Sequence, residues 1–247
     1  MRKTLEPAFL IHTRPYRETS VIAQWFTRNH GRVTSVVRGA RGKQKRRNSK
    51  PHLLPFCEYQ ISWYGTGEMV TTTSWESLSN VWFNGKQLTI GLYINELIMR
   101  LFTQGDAHPS FYAQYTLMLR ALESKSIIQP LIRQFELLLL KELGYEVVLN
   151  QEAISGRPIE IGQSYRFEPD IGFVKAKDGG HEDNYPGSLL LNMAENNSLS
   201  RVELKMAKRL TREALTPHVG SKPLTSRDLL FPGIATGTTE QKHETSP

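Results

Sequence analysis

The stretch Phe56-Cys-Glu-Tyr-Gln-Ile-Ser-Trp-Tyr-Gly-Thr-Gly-Glu-Met-Val-Thr-Thr-Thr-Ser-Trp75 decides the fold. Cys57, Tyr59, Ile61 and Trp63 alternate with Glu58, Gln60 and Ser62, and Gly65-Thr66-Gly67 then turns the chain into Glu68 to Trp75. Period two is the spacing of a half-buried strand, so these residues predict a hairpin. Toward the amino end, residues 8–13, 19–28 and 32–38 are rich in Val, Ile, Thr, Phe and Trp. Asn29-His30-Gly31 separates the second from the third as a short hairpin loop, with Gly available for positive φ. Five short strands and no long helix predict a small closed barrel, for which an OB-type fold is the most economical candidate.

Toward the carboxyl end the period changes from about Leu88. Leu88, Leu92, Ile94, Leu97, Ile98 and Leu101 follow helical spacing, as do Phe111, Tyr115, Met118, Leu119 and Leu122. A third helix from about Ile132 carries Phe135, Leu138 and Leu139, is apolar nearly all round through Leu137 and Leu140, and stops at Gly144, a residue suited to a left-handed cap. It is expected at the centre of a helical domain. Residues 145–198 hold Pro158, Pro169, Pro186 and Gly179-Gly180 and read as loops with a few short elements. A last helix is expected over Leu199 to Leu215. Its apolar stripe reads Leu199, Val202, Met206 and Leu210, with Arg201, Lys205, Lys208 and Arg212 in a narrow arc opposite. The aperiodic run 231–247 reads as a disordered tail. The fold class is therefore α+β: an OB-type barrel over residues 1–82, a mainly helical domain over 83–230 with an irregular insert at 145–198, then the tail.

The 247 residues, 39% hydrophobic and 22% charged, are enough for one or two globular domains. The net charge is +7, from 31 Lys and Arg over 24 Asp and Glu, and it is concentrated in one place. No acidic residue occurs between Glu18 and Glu58, whereas Arg28, Arg32, Arg38, Arg41, Lys43, Lys45, Arg46, Arg47 and Lys50 supply nine cations; without them the chain stands at 7 − 9 = −2. Charge sorted in this way points to a polyanionic partner. The apolar run Ala8 to Ile11 is too short for a signal peptide, and Leu137 to Leu140 is far short of the roughly 20 residues of a membrane span. Cys57 is the only cysteine, which rules out an intrachain disulfide and fits a reducing, cytoplasmic compartment. No two histidines lie three to five residues apart, so structural zinc is not expected, and Cys57 reads as a small buried strand residue.

Phosphate-binding loops, dinucleotide fingerprints, nucleophile elbows and zinc-protease motifs are absent from the sequence. Glu160, Glu168 and Asp170 could form a metal-dependent nuclease site, but carboxylates so placed are more simply solvated loop charges. No cofactor, metal or catalytic residue is expected. The segment Arg38 to Lys50 is different, with seven cations in thirteen residues and two glycines for mobility. Like charges at that density repel one another and make sense when phosphates supply the countercharge. Trp25, Trp63, Trp75 and Trp82 lie in or just beyond the barrel region, where burial is the simpler role for any one ring. Tyr64, on the opposite side of its strand from Ile61 and Trp63, is the preferred exposed ring for stacking on a base. The basic edge of the last helix would suit a short acidic peptide with an apolar end.

Five stretches stand in order along the chain: Arg14-Pro-Tyr-Arg-Glu-Thr-Ser20, Gly31-Arg-Val-Thr-Ser-Val-Val-Arg-Gly-Ala-Arg41, Tyr93-Ile-Asn-Glu-Leu97, Arg133-Gln-Phe-Glu-Leu137 leading into Leu143-Gly-Tyr145, and Lys222-Pro-Leu-Thr-Ser-Arg-Asp228. In these the chain resembles the bacterial RecO family of recombination-repair mediators. The resemblance implies an OB fold followed by a helical domain. It also implies binding of single- and double-stranded DNA, annealing of complementary strands, association with RecR, and capture of the acidic C-terminal tail of single-stranded DNA-binding protein, so that RecA loads on coated DNA. The Gly31 to Arg41 match carries DNA contact onto Arg32, Arg38 and Arg41, and charge alone extends it to Lys43, Lys45, Arg46 and Arg47. Arg133 matches a family position associated with the acidic tail, and the helical arc adds Lys205, Lys208 and Arg212. Some family members carry a four-cysteine zinc site after the Leu-Gly-Tyr match; residues 145–198 here contain no cysteine, so zinc is not carried over.

The expected function is thus that of a non-catalytic DNA-binding mediator, cytoplasmic and associated with the nucleoid. An RNA-binding OB protein and a metal-dependent nuclease are the alternatives. Membrane binding through the polybasic stretch lacks the amphipathic pattern it would need.

Overall fold

The computed structural model describes residues 2–41, 53–124, 128–176 and 183–226. Five strands, β1 (Arg2–Tyr16), β2 (Ser20–Thr27), β3 (Gly31–Val37), β4 (Glu58–Tyr64) and β5 (Val70–Ser77), close into a barrel in the order β1-β2-β3-β5-β4. The pairs are antiparallel except β3 with β5, which runs parallel from Ser35↔Val70 to Val37↔Thr72. This is the OB-type barrel that the strand pattern predicts. Its interior holds Trp25, Tyr59, Ile61, Trp63 and Trp75, with Cys57 among them. The Trp25 indole NH donates to Ser35 Oγ at 2.8 Å, and Ser35 Oγ lies 2.6 Å from Thr72 Oγ1, so the polar groups sealed inside are paired.

Ala8-Phe9-Leu10-Ile11 is buried on both faces, which explains its unbroken apolar character. Ala8 and Leu10 face the barrel interior, whereas Phe9 and Ile11 join Phe26 and Phe56 in a second core made mostly by helices α1 (Gly85–Leu101), α2 (Pro109–Glu123) and α3 (Ile128–Glu142). Phe26 stacks on Phe102 at 5.5 Å, and Phe9 meets the Tyr115 ring edge-on at 4.9 Å. One continuous core therefore crosses the division drawn at residue 82. Gly31 sits in the same seam with φ +60°; a Cβ there would lie 1.8 Å from the Asp106 carbonyl oxygen. Only glycine permits that approach.

The described residues of 145–198 hold a few short elements among loops, as their composition predicts. Strands β6 (Ser164–Glu168), β7 (Gly172–Lys175) and β8 (Tyr185–Pro186) form a small sheet, followed by helix α4 (Gly187–Ala194). Tyr165, Phe173, Tyr185, Leu189 and Leu190 build a third core, completed by Ala207 and Leu210 of helix α5 (Arg201–Leu215). That these short elements share a core is what the composition does not show. Helix α5 starts at a capping box, with the Ser200 side chain accepting from the Glu203 NH and Glu203 accepting from the Ser200 NH.

The side of α5 that faces the core corrects the sequence reading. The buried residues are Ala207, Leu210, Thr211, Ala214 and Leu215, while Val202 is 65% exposed. The core stripe is rotated about the helix axis, because small residues at 207 and 214 let α5 lie close against α3, which hydropathy alone does not weight. Lys208, next to Thr211, consequently sits half-buried on the flank of the helix, while Lys205 and Arg212 stay on the side away from the core.

Candidate nucleic-acid interface

Local pairing gathers cations that are distant in sequence. Tyr16 pairs with Ser20 and Val21 with Val37, so the β1–β2 turn lies beside the end of β3. The Arg41 NH donates to the Thr19 carbonyl at 2.9 Å and fixes the two together. Arg14 and Arg17 thereby join Arg38 and Arg41, and all four are exposed. Glu18 is the carboxylate of that turn, and Arg17 lies 5.2 Å from the centre of the Tyr16 ring. Four guanidinium groups around one corner of the barrel create a positive potential in high dielectric, where it reaches incoming phosphates without a desolvation cost. Charge counting along the chain misses Arg14 and Arg17, because they stand apart from the polybasic run. The signal that finds them is the strand pairing itself.

Lys43, Lys45, Arg46 and Arg47 lie outside the described residues, between Arg41 at this corner and Leu53 near the far end of the segment. Arg32 has a different setting from Arg38 and Arg41. It is half-buried at the seam where Gln104 bridges β3, its carbonyl accepts the Gly105 NH at 3.0 Å, and burial lowers its pKa. Its Nε is buried without a hydrogen-bond partner. Tyr64 is 46% exposed on β4 as the alternation predicts. Trp25, Trp63 and Trp75 are spent on the barrel core, whereas Trp82 is 74% exposed and is the most accessible of the four.

The second predicted cluster is built differently. Arg133 on α3 is 6% exposed, pairs with Glu136 at 2.6 Å and donates to Thr211 Oγ1 of α5 at 2.8 Å. Glu136 is fully buried and also accepts the Tyr93 hydroxyl proton at 2.5 Å. Above this network, Lys205, Lys208 and Arg212 line a shallow groove of about 400 Å³ together with Arg209, Glu213 and Thr216. Arg209 is engaged by the Tyr185 ring at 4.4 Å and by Glu213 at 3.6 Å. The structure thus brings all four predicted residues to one helix pair, three of them at its surface and Arg133 beneath it. Glu160, Glu168 and Asp170 are not drawn together into such a site: among the described residues no group of three His, Cys, Asp or Glu could hold a metal ion. No helix among them is long and apolar enough to cross a membrane.

The short stretches that carried the resemblance prove to be the joints of this framework. Asn95 donates to the Ile11 carbonyl of the barrel at 2.9 Å and accepts from the Tyr115 hydroxyl at 2.6 Å. Next to it, Glu96 accepts the backbone NH groups of Thr225 and Ser226 and the Ser226 hydroxyl, while Arg100 donates to the carbonyls of Lys222 and Pro223. Burial pushes the Glu96 carboxyl up, but the donors from Ser226 and Thr225 and the charge of Arg100 outweigh it and hold its pKa below the ordinary value.

Comparison with known proteins agrees with this arrangement along nearly the whole chain. The model described as Recombination protein O N terminal matches residues 1–81, and that described as Recombination protein O C terminal matches residues 83–228. The DNA repair protein RecO of Stutzerimonas stutzeri is 39% identical over 227 residues, covering 92% of this chain and 93% of its own. That of Pseudomonas aeruginosa is 39% identical over 228 residues, covering 92% and 94%. That of Nitrosococcus oceani is 37% identical over 246 residues, covering 99% of each chain. With both halves matched in order and the matching stretches forming the joints between barrel, helices and carboxyl segment, the chain belongs to the RecO family of DNA repair proteins.

Proposed function

We propose that this protein anneals complementary single strands and helps load recombinase on DNA coated by single-stranded DNA-binding protein, acting by binding and without covalent catalysis. The observation that carries the reading is the exposed corner formed by Arg14, Arg17, Arg38 and Arg41, from which the polybasic segment 42–50 continues. Two phosphate backbones must approach closely for bases to pair, and their repulsion is what cations at such a corner reduce. Pairing then supplies the free energy, and no nucleotide cofactor is needed. Lys43, Lys45, Arg46, Arg47 and Tyr64 extend the surface in this reading, while Arg32, half-buried against the Gln104–Gly105 loop, holds the seam and reaches DNA with its edge.

The groove on α5 receives the acidic tail of single-stranded DNA-binding protein in the same reading. Lys205, Lys208 and Arg212 meet the carboxylates, and Arg133, its charge met by Glu136, serves the groove from below by keeping α5 in place through Thr211. RecR is the expected protein partner, RecA the beneficiary, and the bacterial cytoplasm, at the nucleoid, the compartment.

Strand annealing of two complementary oligonucleotides tests the central statement. Replacing Arg38, Arg41, Lys43 and Lys45 together by Glu should abolish annealing and weaken binding to single strands by more than tenfold. Neutralising about five phosphates should give a slope near −3.5 in log K against log salt, at roughly 0.7 per phosphate on single strands, and the variant's slope should be shallower. Unchanged annealing would remove the proposal. In parallel, RNA that competes better than DNA would favour an RNA-binding protein, and cleavage with Mg²⁺ or Mn²⁺ a nuclease.

A further inference from the structure

A groove of about 670 Å³ opens between the end of α3, the β6–β7 hairpin and the end of α5, far in character from the cationic surfaces. Glu146, Glu152 and Asp170 line it, and among the described residues no Lys or Arg does, in a chain of net charge +7. Its floor is apolar, from Phe167 and Phe173, and Ile171 at its rim is exposed. One wall is Tyr145, half-exposed, whose ring stacks on His218 with centroids 3.8 Å apart and planes at 23°. Glu146 is paired with Lys141 at 2.7 Å, and Glu152 accepts from the Ser155 hydroxyl, so both are anchored at the edge; Asp170 is exposed at the tip of the β6–β7 turn.

We propose that this groove binds a short basic and apolar peptide segment of a partner protein, with an Arg side chain on the Tyr145 ring among the carboxylates and an apolar neighbour against Ile171 and Phe167. Charge complementarity selects the occupant. Glu152 and Asp170, with no cation against them among the described residues, repel phosphates and acidic peptides, whereas the charge of Glu146 is met by Lys141; this argues against nucleic acid and against the tail that suits α5. An aromatic face beside carboxylates is what a guanidinium uses best, since its plane stacks on the ring while its edge donates to the oxygens. The half-exposed aliphatic rim adds the apolar contact that a lone arginine would leave unfilled. The surface is independent of the DNA-binding corner and stands or falls separately from it.

Fluorescence anisotropy with the full chain tests this. The probes are a labelled peptide, Arg-Leu-Arg-Phe, and the same peptide with Glu in place of Arg. The basic peptide should bind with an affinity that falls as salt rises, and the acidic one should not. Tyr145→Ala, and the pair Glu152→Gln with Asp170→Asn, should each weaken binding by at least about tenfold, as for anchor residues of an interface. Asn keeps the left-handed backbone of position 170, where φ is +65°. Annealing by these variants should stay within twofold of the parent, which also shows that they fold. Equal binding of both peptides, or binding untouched by the variants, would overturn the proposal. So would a dimer in sedimentation that the double variant dissolves, since the groove would then hold a second copy of the chain.

Discussion

Arg41 and Arg133 are the same residue type placed under opposite electrostatic conditions. Arg41 stands exposed at the corner of the barrel with Arg14, Arg17 and Arg38, its backbone tied to Thr19 and its side chain in water. Arg133 is withdrawn beneath α5, where Glu136 pairs with its charge at 2.6 Å and Thr211 accepts a hydrogen bond from it, while its Nε is buried without a hydrogen-bond partner. The first kind of cation keeps its charge available to a polyanion at little cost. The second is neutralised by a partner and holds two helices together. A count of positive charges in the sequence treats them alike.

The sharpest way to break this contrast is to remove one half of the buried pair. Glu136→Leu leaves Arg133 desolvated and unpaired and removes the acceptor of Tyr93, so urea unfolding should report a loss of about 3–5 kcal/mol. Arg133→Met combined with Glu136→Leu should recover most of that loss, because no charge then remains buried. A double variant as unstable as the single one would mean that the network matters for something other than charge.

Next in size, Arg14→Glu with Arg17→Glu should weaken single-strand binding several-fold and flatten the salt slope by about 1.4, at roughly 0.7 for each phosphate no longer neutralised. Stability should stay within about 0.5 kcal/mol, as usual for exposed positions. If binding is unchanged, the β1–β2 turn is not part of the DNA surface, and the polybasic segment acts without it.

The smallest effect concerns pH. Glu96 has a folded pKa below its ordinary value of 4.5, so its contribution is complete above that pH and is lost as pH falls through the lower, folded value. Protection of the Thr225 and Ser226 amides from hydrogen exchange, taken relative to the intrinsic rate at each pH, should therefore fall below about pH 4.5 in the parent. In Glu96→Gln that fall should be absent, with protection already lower at neutral pH. Identical profiles in the two proteins would show that Glu96 does not hold the carboxyl segment.

Much of the framework is legible in the chain. Alternation from Cys57 to Trp63 marks β4, and helical spacing from Leu88 to Leu122 marks α1 and α2, because each element shows its buried face within a few residues. The shared core of 145–198 is not legible, since it is assembled from Tyr165, Phe173, Tyr185 and Leu189, which no local period connects. The orientation of α5 escapes a hydropathy reading for a related reason. Ala207, Ala214 and Thr211 carry little hydrophobic signal, yet close helix packing favours small residues.

By itself the sequence determined where strands give way to helices, that the positive charge is segregated near the amino end, and which family the chain belongs to. The first two are properties of spacing and composition and the third is a resemblance of motifs to a known family, all readable in one dimension. Only the tertiary structure decided that Arg14 and Arg17 stand with Arg38 and Arg41, and that Arg133 lies sealed against Glu136. Whether a cation faces phosphate or a buried carboxylate depends on which distant segments exclude water around it, and desolvation is a property of packing in three dimensions.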